Sequence, residues 1–381
     1  MGETLGKYPV KDTPALARTP FFDLAIAQKA KMTTFAGWEM PIQFTGITAE
    51  HNAVRNECGM FDVSHMGKFF LSGEQLLSHL QPLIPSDLNR LQPGAAQYSV
   101  LLNSQGGIID DIIFYYQGET DQGKQQGVMI VNAATKTTDQ AWLLENLKFS
   151  PVTLQDVSEH QVLLAVQGAK VLAYLQPLLD VNLSQIKPFG HITINLGGSP
   201  VFLARTGYTG EDGFEIMTTP VIGIQLWQNL LAAGVTPCGL GCRDTLRLEA
   251  AMALYGQDID DQTTPLEAGL GWLVHWDKGD FLGRSILEQQ RDRGKPKVLV
   301  GLEMTGRNIA RHGYPILADD QVVGIVTSGT LSPTLGKPVA LAYVPPSLGK
   351  IGQELAVEIR GKPYPAKVVK KPFYRSPHKP T

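Results

Sequence analysis

Two carboxylates stand side by side in a run of branched apolar residues: Gly106-Gly107-Ile108-Ile109-Asp110-Asp111-Ile112-Ile113-Phe114-Tyr115-Tyr116. The run has the composition of a strand, where Asp is disfavoured. Such conflicts between local propensity and structure concentrate at functional sites. Side chains alternate along a strand, so Asp110 and Asp111 should point to opposite faces and cannot form a facing carboxylate pair. One is expected to reach a cavity and the other to bond backbone or a basic side chain. Asp111 shares its expected face with Ile109, Ile113 and Tyr115. An aspartate that merely caps or forms a salt bridge fits the same pattern.

A second candidate is Arg205-Thr206-Gly207-Tyr208-Thr209-Gly210-Glu211-Asp212-Gly213-Phe214-Glu215. Glycine-rich loops often cradle phosphates, but Glu211 and Asp212 would repel one. A tight turn is the plain alternative. A carboxylate such as Glu215 could hold a donor pair on a heterocycle, because its two oxygens match two parallel N–H groups. Gly239-Leu240-Gly241-Cys242-Arg243-Asp244 leads into a helix, with Asp244 suited to an N-cap and Arg243 facing either a ligand or an acid. His65, within Met60–Gly67, reads as a structural histidine more readily than a catalytic one. Thr327–Thr334 reads as a loop. No Ser-His-Asp triad is suggested.

These groups need elements to position them. Strand candidates are KFFLSG, QYSVLLN, IIDDIIFYY, GVMIVNAAT, VLLAVQG, HITINLG and SPVFLARTGY. Helices are expected over Asp23–Lys31, Ala49–Asn56, Asp139–Leu147, Ile222–Ala233, Asp244–Tyr255 and Ser285–Arg293. FAGWEMP is expected to end in a turn. After Gly294 and Pro296 the chain is almost all short strands, which predicts a terminal β-barrel or jelly roll. No repeat is evident, and residues 1–20 are expected to trail along the surface.

At 381 residues the chain should form two or three domains. With 33 basic and 36 acidic residues, a net charge of -3 gives no reason to expect nucleic acid as a partner. Cys58, Cys238 and Cys242 are too few for a disulfide scaffold, and C-x-x-x-C without a second pair argues against zinc. No apolar run has membrane-spanning length, the start lacks a secretory pattern, and Gly6 breaks the myristoylation motif.

Taken together, the stretches resemble the aminomethyltransferase (T-protein) family of the glycine cleavage system. The matching motifs run nearly the whole chain in order: RTPFFD, FAGWEMP, GMFDVSHMG, GGIIDDII, VNAAT, QGAK, RTGYTGEDGFEI, GLGCRDTLRLEA, LYGQDID, TSGTLSPTLGK and KKPFYR. The resemblance implies an α+β fold of three domains around a central folate cavity, with mixed antiparallel sheets, helices and a C-terminal barrel. The expected division is 1–59 with 151–255, 60–150 with 256–294, and 295–381. The implied reaction passes the methylene carbon of an aminomethyl-dihydrolipoyl H-protein to tetrahydrofolate, releasing ammonia and 5,10-methylenetetrahydrofolate.

By resemblance, Asp111 is the key acid. Glu215 holds the pterin edge, and Arg243 binds ligand. Met66, Tyr98, Tyr115 and Trp272 line the cavity, while Tyr374 or Arg375 makes a C-terminal ligand contact. Cys242 departs from the Ala usual in GLGARD. Tetrahydrofolate is then a co-substrate, no metal is expected, and the partner is lipoylated H-protein, with neither membrane nor nucleic acid involved. The expected location is the cytoplasm, with the mitochondrial matrix as alternative. A free-standing folate-dependent demethylase is a second reading. A non-catalytic folate-binding scaffold is a third, opposed by the absence of Cys in Arg205–Glu211, where that class carries K-G-C-Y-x-G-Q-E.

Overall fold

A computed structural model describes residues 15–378. Most of the expected N-terminal trail lies outside them. Its described end is tied down rather than trailing: Ala17 exchanges backbone hydrogen bonds with Gly37 and Glu39, and the Thr19 hydroxyl donates to Asp62 at 2.5 Å. FAGWEMP forms the bend and second strand of a hairpin, Lys31–Phe35 with Trp38–Gln43. The helix expected over Asp23–Lys31 is shorter, Phe22–Ala27, because Lys31 already begins that hairpin.

Two sheets carry the candidate residues. The first, here the Asp111 sheet, has the order Ala95–Leu102, Ile108–Glu119, Gln125–Val131, Gly67–Gly73, Thr153–Asp156, all antiparallel. The second, the Glu215 sheet, runs His191–Leu196, Ser199–Ala204, Gly213–Thr218, Val162–Gln167, Gly59–Asp62, Thr236–Pro237; only its last pair is parallel. Their edges meet where Ala96 N–H donates to Phe189 O and His191 N–H to Gly94 O, each at 2.8 Å.

The sheets repeat one plan, which corrects the reading that no repeat exists. In each, a strand (Gly67–Gly73, Val162–Gln167) leads into a short helix (Leu76–Leu80, Val171–Leu175) and a Gln-Pro-Leu 3₁₀ turn (Gln81–Leu83, Gln176–Leu178). A second 3₁₀ turn, three antiparallel strands and a longer helix follow (Lys136–Leu147, Pro220–Ala232). The Gln81 and Gln176 side chains accept from Leu88 N–H at 2.9 Å and Leu183 N–H at 3.0 Å. Asp87 and Asn182 cap the second turns. The repeat hides in sequence because packing demands apolar pattern and volume more than identity.

Between the sheets lies an apolar layer that includes Phe61, Tyr115, Val128, Leu163 and Phe202. The helix Leu240–Glu249 packs against this layer through Cys242 and Leu246. It starts four residues before Asp244 and stops at Glu249, not Tyr255. Gly239 holds the cap position, and Ala251 takes a positive φ of 53° that ends the helix. Asp244 is therefore interior, paired to Arg247 at 2.7 Å, rather than a cap.

The C-terminal strands close into a six-stranded barrel, in which Val298–Met304 pairs with both Pro338–Val344 and Lys362–Val369. Strand-rich sequence with regular turns leads to closure because a closed sheet has no open edge. Among the described residues no helix is long and apolar enough to cross a membrane.

Candidate active site

Strand alternation divides the two aspartates as their spacing predicts. Ile113 and Tyr115, on the Asp111 face, pack in the layer between the sheets. Ile112, Phe114 and Tyr116, on the Asp110 face, pack under the helical cover. Ile109 belongs to that second cluster, so it does not share the Asp111 face. The register shifts between Leu101 and Leu102, opposite Ile109, and a bulge there breaks the alternation.

Asp111 is reached by two neutral donors. Tyr98 O–H donates to its Oδ2 at 3.0 Å, and Asn132 Nδ2 donates to its Oδ1 at 2.8 Å. The same Nδ2 lies 2.8 Å from Asp110 Oδ1, and Asn132 N–H donates to Asp110 Oδ2 at 2.9 Å. The carboxylates thus point to opposite faces yet share an amide at the strand edge. Among the described residues no ion pair includes either. Burial, followed by the charge of Asp110, pushes Asp111 up to about 7 against the two hydrogen bonds. An acid poised there can both accept and release a proton near neutrality.

Tyr98 stacks on Trp272, with ring centroids 6.1 Å apart and planes 26° apart. Trp272 is 61% exposed, so it forms a rim rather than a buried wall. Four positions beyond Asp111 on the same strand, Tyr115 crosses to the other sheet. Its hydroxyl lies 3.0 Å from Thr206 Oγ1 and donates to Glu215 Oε2 at 3.4 Å. Thr206 donates to the same Oε2 at 2.5 Å. Glu215 lies on Gly213–Thr218, paired with Ala165 and Ala204 across the sheet. These contacts fall on one oxygen and leave Oε1 for other donors.

Arg243 projects from Leu240–Glu249, its guanidinium 4.6 Å from the Tyr208 ring centroid. Its Nη1 is buried without a partner. A buried unpaired guanidinium N–H calls for an anionic or carbonyl oxygen. Burial presses Arg243 below the usual arginine range, while the charge of Glu215 opposes this. Met66 packs at the edge of the layer between the sheets. His65 is buried, lies edge-on to Phe35 at 5.5 Å, and is pushed down to about 3 by burial, Arg243 and Lys68. This environment disfavours its charged form near pH 7.

Two family models match the chain: "GCVT N-terminal domain" over residues 21–278 and "Glycine cleavage T-protein C-terminal barrel domain" over 297–375. The chain belongs to the glycine cleavage T-protein family. It is 66% identical to an aminomethyltransferase of Nostoc sp., covering 97% of this chain and 99% of the relative. A Rippkaea orientalis aminomethyltransferase is 62% identical, at 96% and 99% coverage. The crystal structure of glycine cleavage system aminomethyltransferase T from Bartonella henselae superposes with a TM-score of 0.88 at 32% identity, covering 95% of this chain and 99% of that one.

Within this T-protein architecture the C-terminal candidate Tyr374 sits against Arg55 and Glu249. Tyr374 donates its backbone N–H to Glu249 O at 2.9 Å, and its ring lies 4.0 Å from the Arg55 guanidinium. Arg375 is exposed. Arg55 in turn pairs with Glu211 at 2.8 Å and Glu249 at 2.9 Å, and His51 lies 3.2 Å from Glu249. Glu211 thus belongs to a buried ion network, not to the group around Tyr115 and Thr206.

Sequence reasoning passed over three residues: Asn132, Thr206 and Tyr208. Each lies inside a quoted motif, and each is an uncharged polar residue whose role depends on what it faces. Glu50, Cys238 and Cys242 place potential ligand atoms within 4.8 Å of one another. The Glu50 oxygens already accept four backbone N–H groups, from Phe44, Thr45, Gly46 and Gly239. That carboxylate is fully engaged as a loop anchor.

Proposed function

We propose that this chain is the aminomethyltransferase of the glycine cleavage system, acting between an aminomethylated lipoyl H-protein and tetrahydrofolate. The observation that carries the reading is a carboxyl poised near pH 7, Asp111, in a chain closely related throughout to aminomethyltransferases. In this reading the folate is held by residues of both sheets and of the Arg243 helix. Glu215 takes the pterin amino and ring N–H groups through its open oxygen, Arg243 Nη1 meets a ligand oxygen, and Tyr98, Tyr115, Met66 and Trp272 line the site. Tyr374 or Arg375 makes the C-terminal ligand contact.

The chemistry balances without metal or redox cofactor. Two bonds form, from the methylene carbon to the two folate nitrogens. Two break, from that carbon to sulfur and to the amino nitrogen. The protons leaving the folate nitrogens end on the thiol and on ammonia. Asp111 orients the attacking nitrogen, takes or relays its proton, and favours the cationic iminium formed when ammonia departs. Tyr98 and Asn132 fix the carboxylate for this without neutralising it.

A three-part division (1–59 with 151–255, 60–150 with 256–294, 295–381) goes with this reading, although its bounds cut Gly59–Asp62, which pairs in the Glu215 sheet, and part Thr153–Asp156 from the Asp111 sheet in which it pairs. The first part begins in residues outside the described ones. The cytoplasm is the proposed location. The direct assay supplies aminomethylated H-protein and tetrahydrofolate and measures ammonia and methylenetetrahydrofolate. Equimolar formation of both supports the reading; turnover of a methylated amine without H-protein favours the demethylase instead.

A further inference from the structure

Behind Asp110, on the face away from Asp111, stands a third carboxyl that the reaction described above does not use. Asp139 lies on Lys136–Leu147, fully buried, and neither of its oxygens makes a well-formed hydrogen bond; the Thr135 hydroxyl is the nearby neutral donor. Two bare oxygens on a buried carboxylate are costly, because the ion loses its hydration and gains nothing in return. Its neighbour within hydrogen-bonding reach is Asp110. An ionised Asp110 can only accept, so contact between the two carboxyls requires a proton.

The donors decide where that proton sits. Burial raises Asp110 as well, but it is opposed by the donors Asn132 N–H and Nδ2, which favour the charged form. Asp139 has neither. The Thr135 hydroxyl, beside both, donates to Asn132 O at 3.2 Å. The other groups facing the cluster are Tyr98 and Tyr208 near Asp111, and Tyr255, Asp260 and Asp261 from the segment after the Arg243 helix. All of these are acids or phenols, and no basic side chain forms an ion pair with the three carboxyls among the described residues.

We propose that Asp139 is a positioning residue: it stays a neutral carboxylic acid, donates its proton to Asp110, and so keeps on Asp110 the negative charge that holds Asp111 poised. The proposal rests on the reading of Asp111 as the reacting acid. The electrostatics agree in direction, since burial and then the Asp110 charge push Asp139 up to about 9, above Asp111. Working at neutral pH, the protein then carries a buried proton that its substrates never touch.

The test has a spectroscopic arm and a kinetic arm. Infrared difference spectra of the ligand-free protein should show the carbonyl stretch of a protonated carboxyl at about pH 8, where an isolated aspartate is ionised. Asp139→Asn should abolish that band. In the kinetic arm, Asp139→Asn still donates an N–H to Asp110 and should keep the acid limb of the pH–turnover profile in place. Asp139→Leu cannot donate. Asp110 should then take up the proton itself, relieve Asp111 of a negative neighbour, and move the limb down by on the order of one pH unit. A purely structural Asp139 would lower the height of the profile without moving its limb. Absence of the band, or its survival in Asp139→Asn, overturns the proposal, as does an unmoved limb in Asp139→Leu. Should Asp139→Leu fail to fold, the band and the Asp139→Asn profile decide. If Asp111→Asn leaves the acid limb unchanged, the Asp111 reading fails on its own, while the band still reports on Asp139.

Discussion

The phenol of Tyr98 donates to the carboxylate of Asp111 at 3.0 Å, from the neighbouring strand of the same sheet. This bond favours the ionised acid and opposes the burial that pushes Asp111 up to about 7. Tyr98→Phe removes the donor and leaves the ring that stacks on Trp272. The acid limb of the pH–turnover profile should therefore move to higher pH, with a smaller change in the plateau. A limb that stays put, measured over about pH 5.5 to 9, would separate Tyr98 from Asp111.

Glu215 offers one oxygen to Thr206 and Tyr115 and leaves the other open. Glu215→Ala should weaken tetrahydrofolate binding roughly tenfold or more, the loss of a charge-assisted contact. Titration calorimetry reads this directly, with the unfolding midpoint as a control for folding. Unchanged affinity would move the pterin anchor elsewhere. Glu211 is a poor replacement, because Arg55 already holds it at 2.8 Å.

Arg55 joins Glu211 and Glu249 beneath the ring of Tyr374, linking a helix, a loop and the C-terminal segment. Arg55→Leu strands two buried carboxylates and should cost about 3–5 kcal/mol, read by denaturant unfolding. Acid should act on the same network. Burial alone would raise Glu249, but His51, Ser332 and Thr334 outweigh it and hold the acid down at about 2. A carboxyl lowered from 4.5 adds stability above that value and loses it as pH falls toward 2. Glu249→Gln should flatten this part of the stability–pH curve.

Free glycine should not be a substrate. The reaction as written needs a methylene carbon already bonded to sulfur and nitrogen. Protein incubated with glycine and tetrahydrofolate should form no methylenetetrahydrofolate until aminomethylated H-protein is added. Product before that addition contradicts the proposed donor; none after it favours another one. Turnover should also weaken as salt rises if the carrier docks through charged surfaces.

The sequence made the acidic strand, the opposite faces of Asp110 and Asp111, and the terminal barrel legible, because alternation and turn spacing are local signals. It did not show the bulge at Ile109, which depends on the register of the partner strand. It also did not show that Asn132 bridges two carboxylates, since a lone Asn after a strand looks like any turn residue. The duplicated sheets leave only scattered identities in the sequence, among them Gly73 and Gly168, Leu80 and Leu175 with the Gln-Pro-Leu that follows each, and Leu88 and Leu183. The start of the Arg243 helix is not legible either: Asp244 has the residue type of a cap, whereas Gly239 caps a helix that begins four residues before the expected start with no side-chain signal.

The most direct test of the whole account is Asp111→Asn, assayed with aminomethylated H-protein and tetrahydrofolate. Asparagine keeps the size of the side chain and removes its basicity. Turnover should fall by roughly two or more powers of ten, the range for a lost general base. Folate affinity, measured on the same preparation, should fall far less. Near-normal turnover in Asp111→Asn would contradict the account.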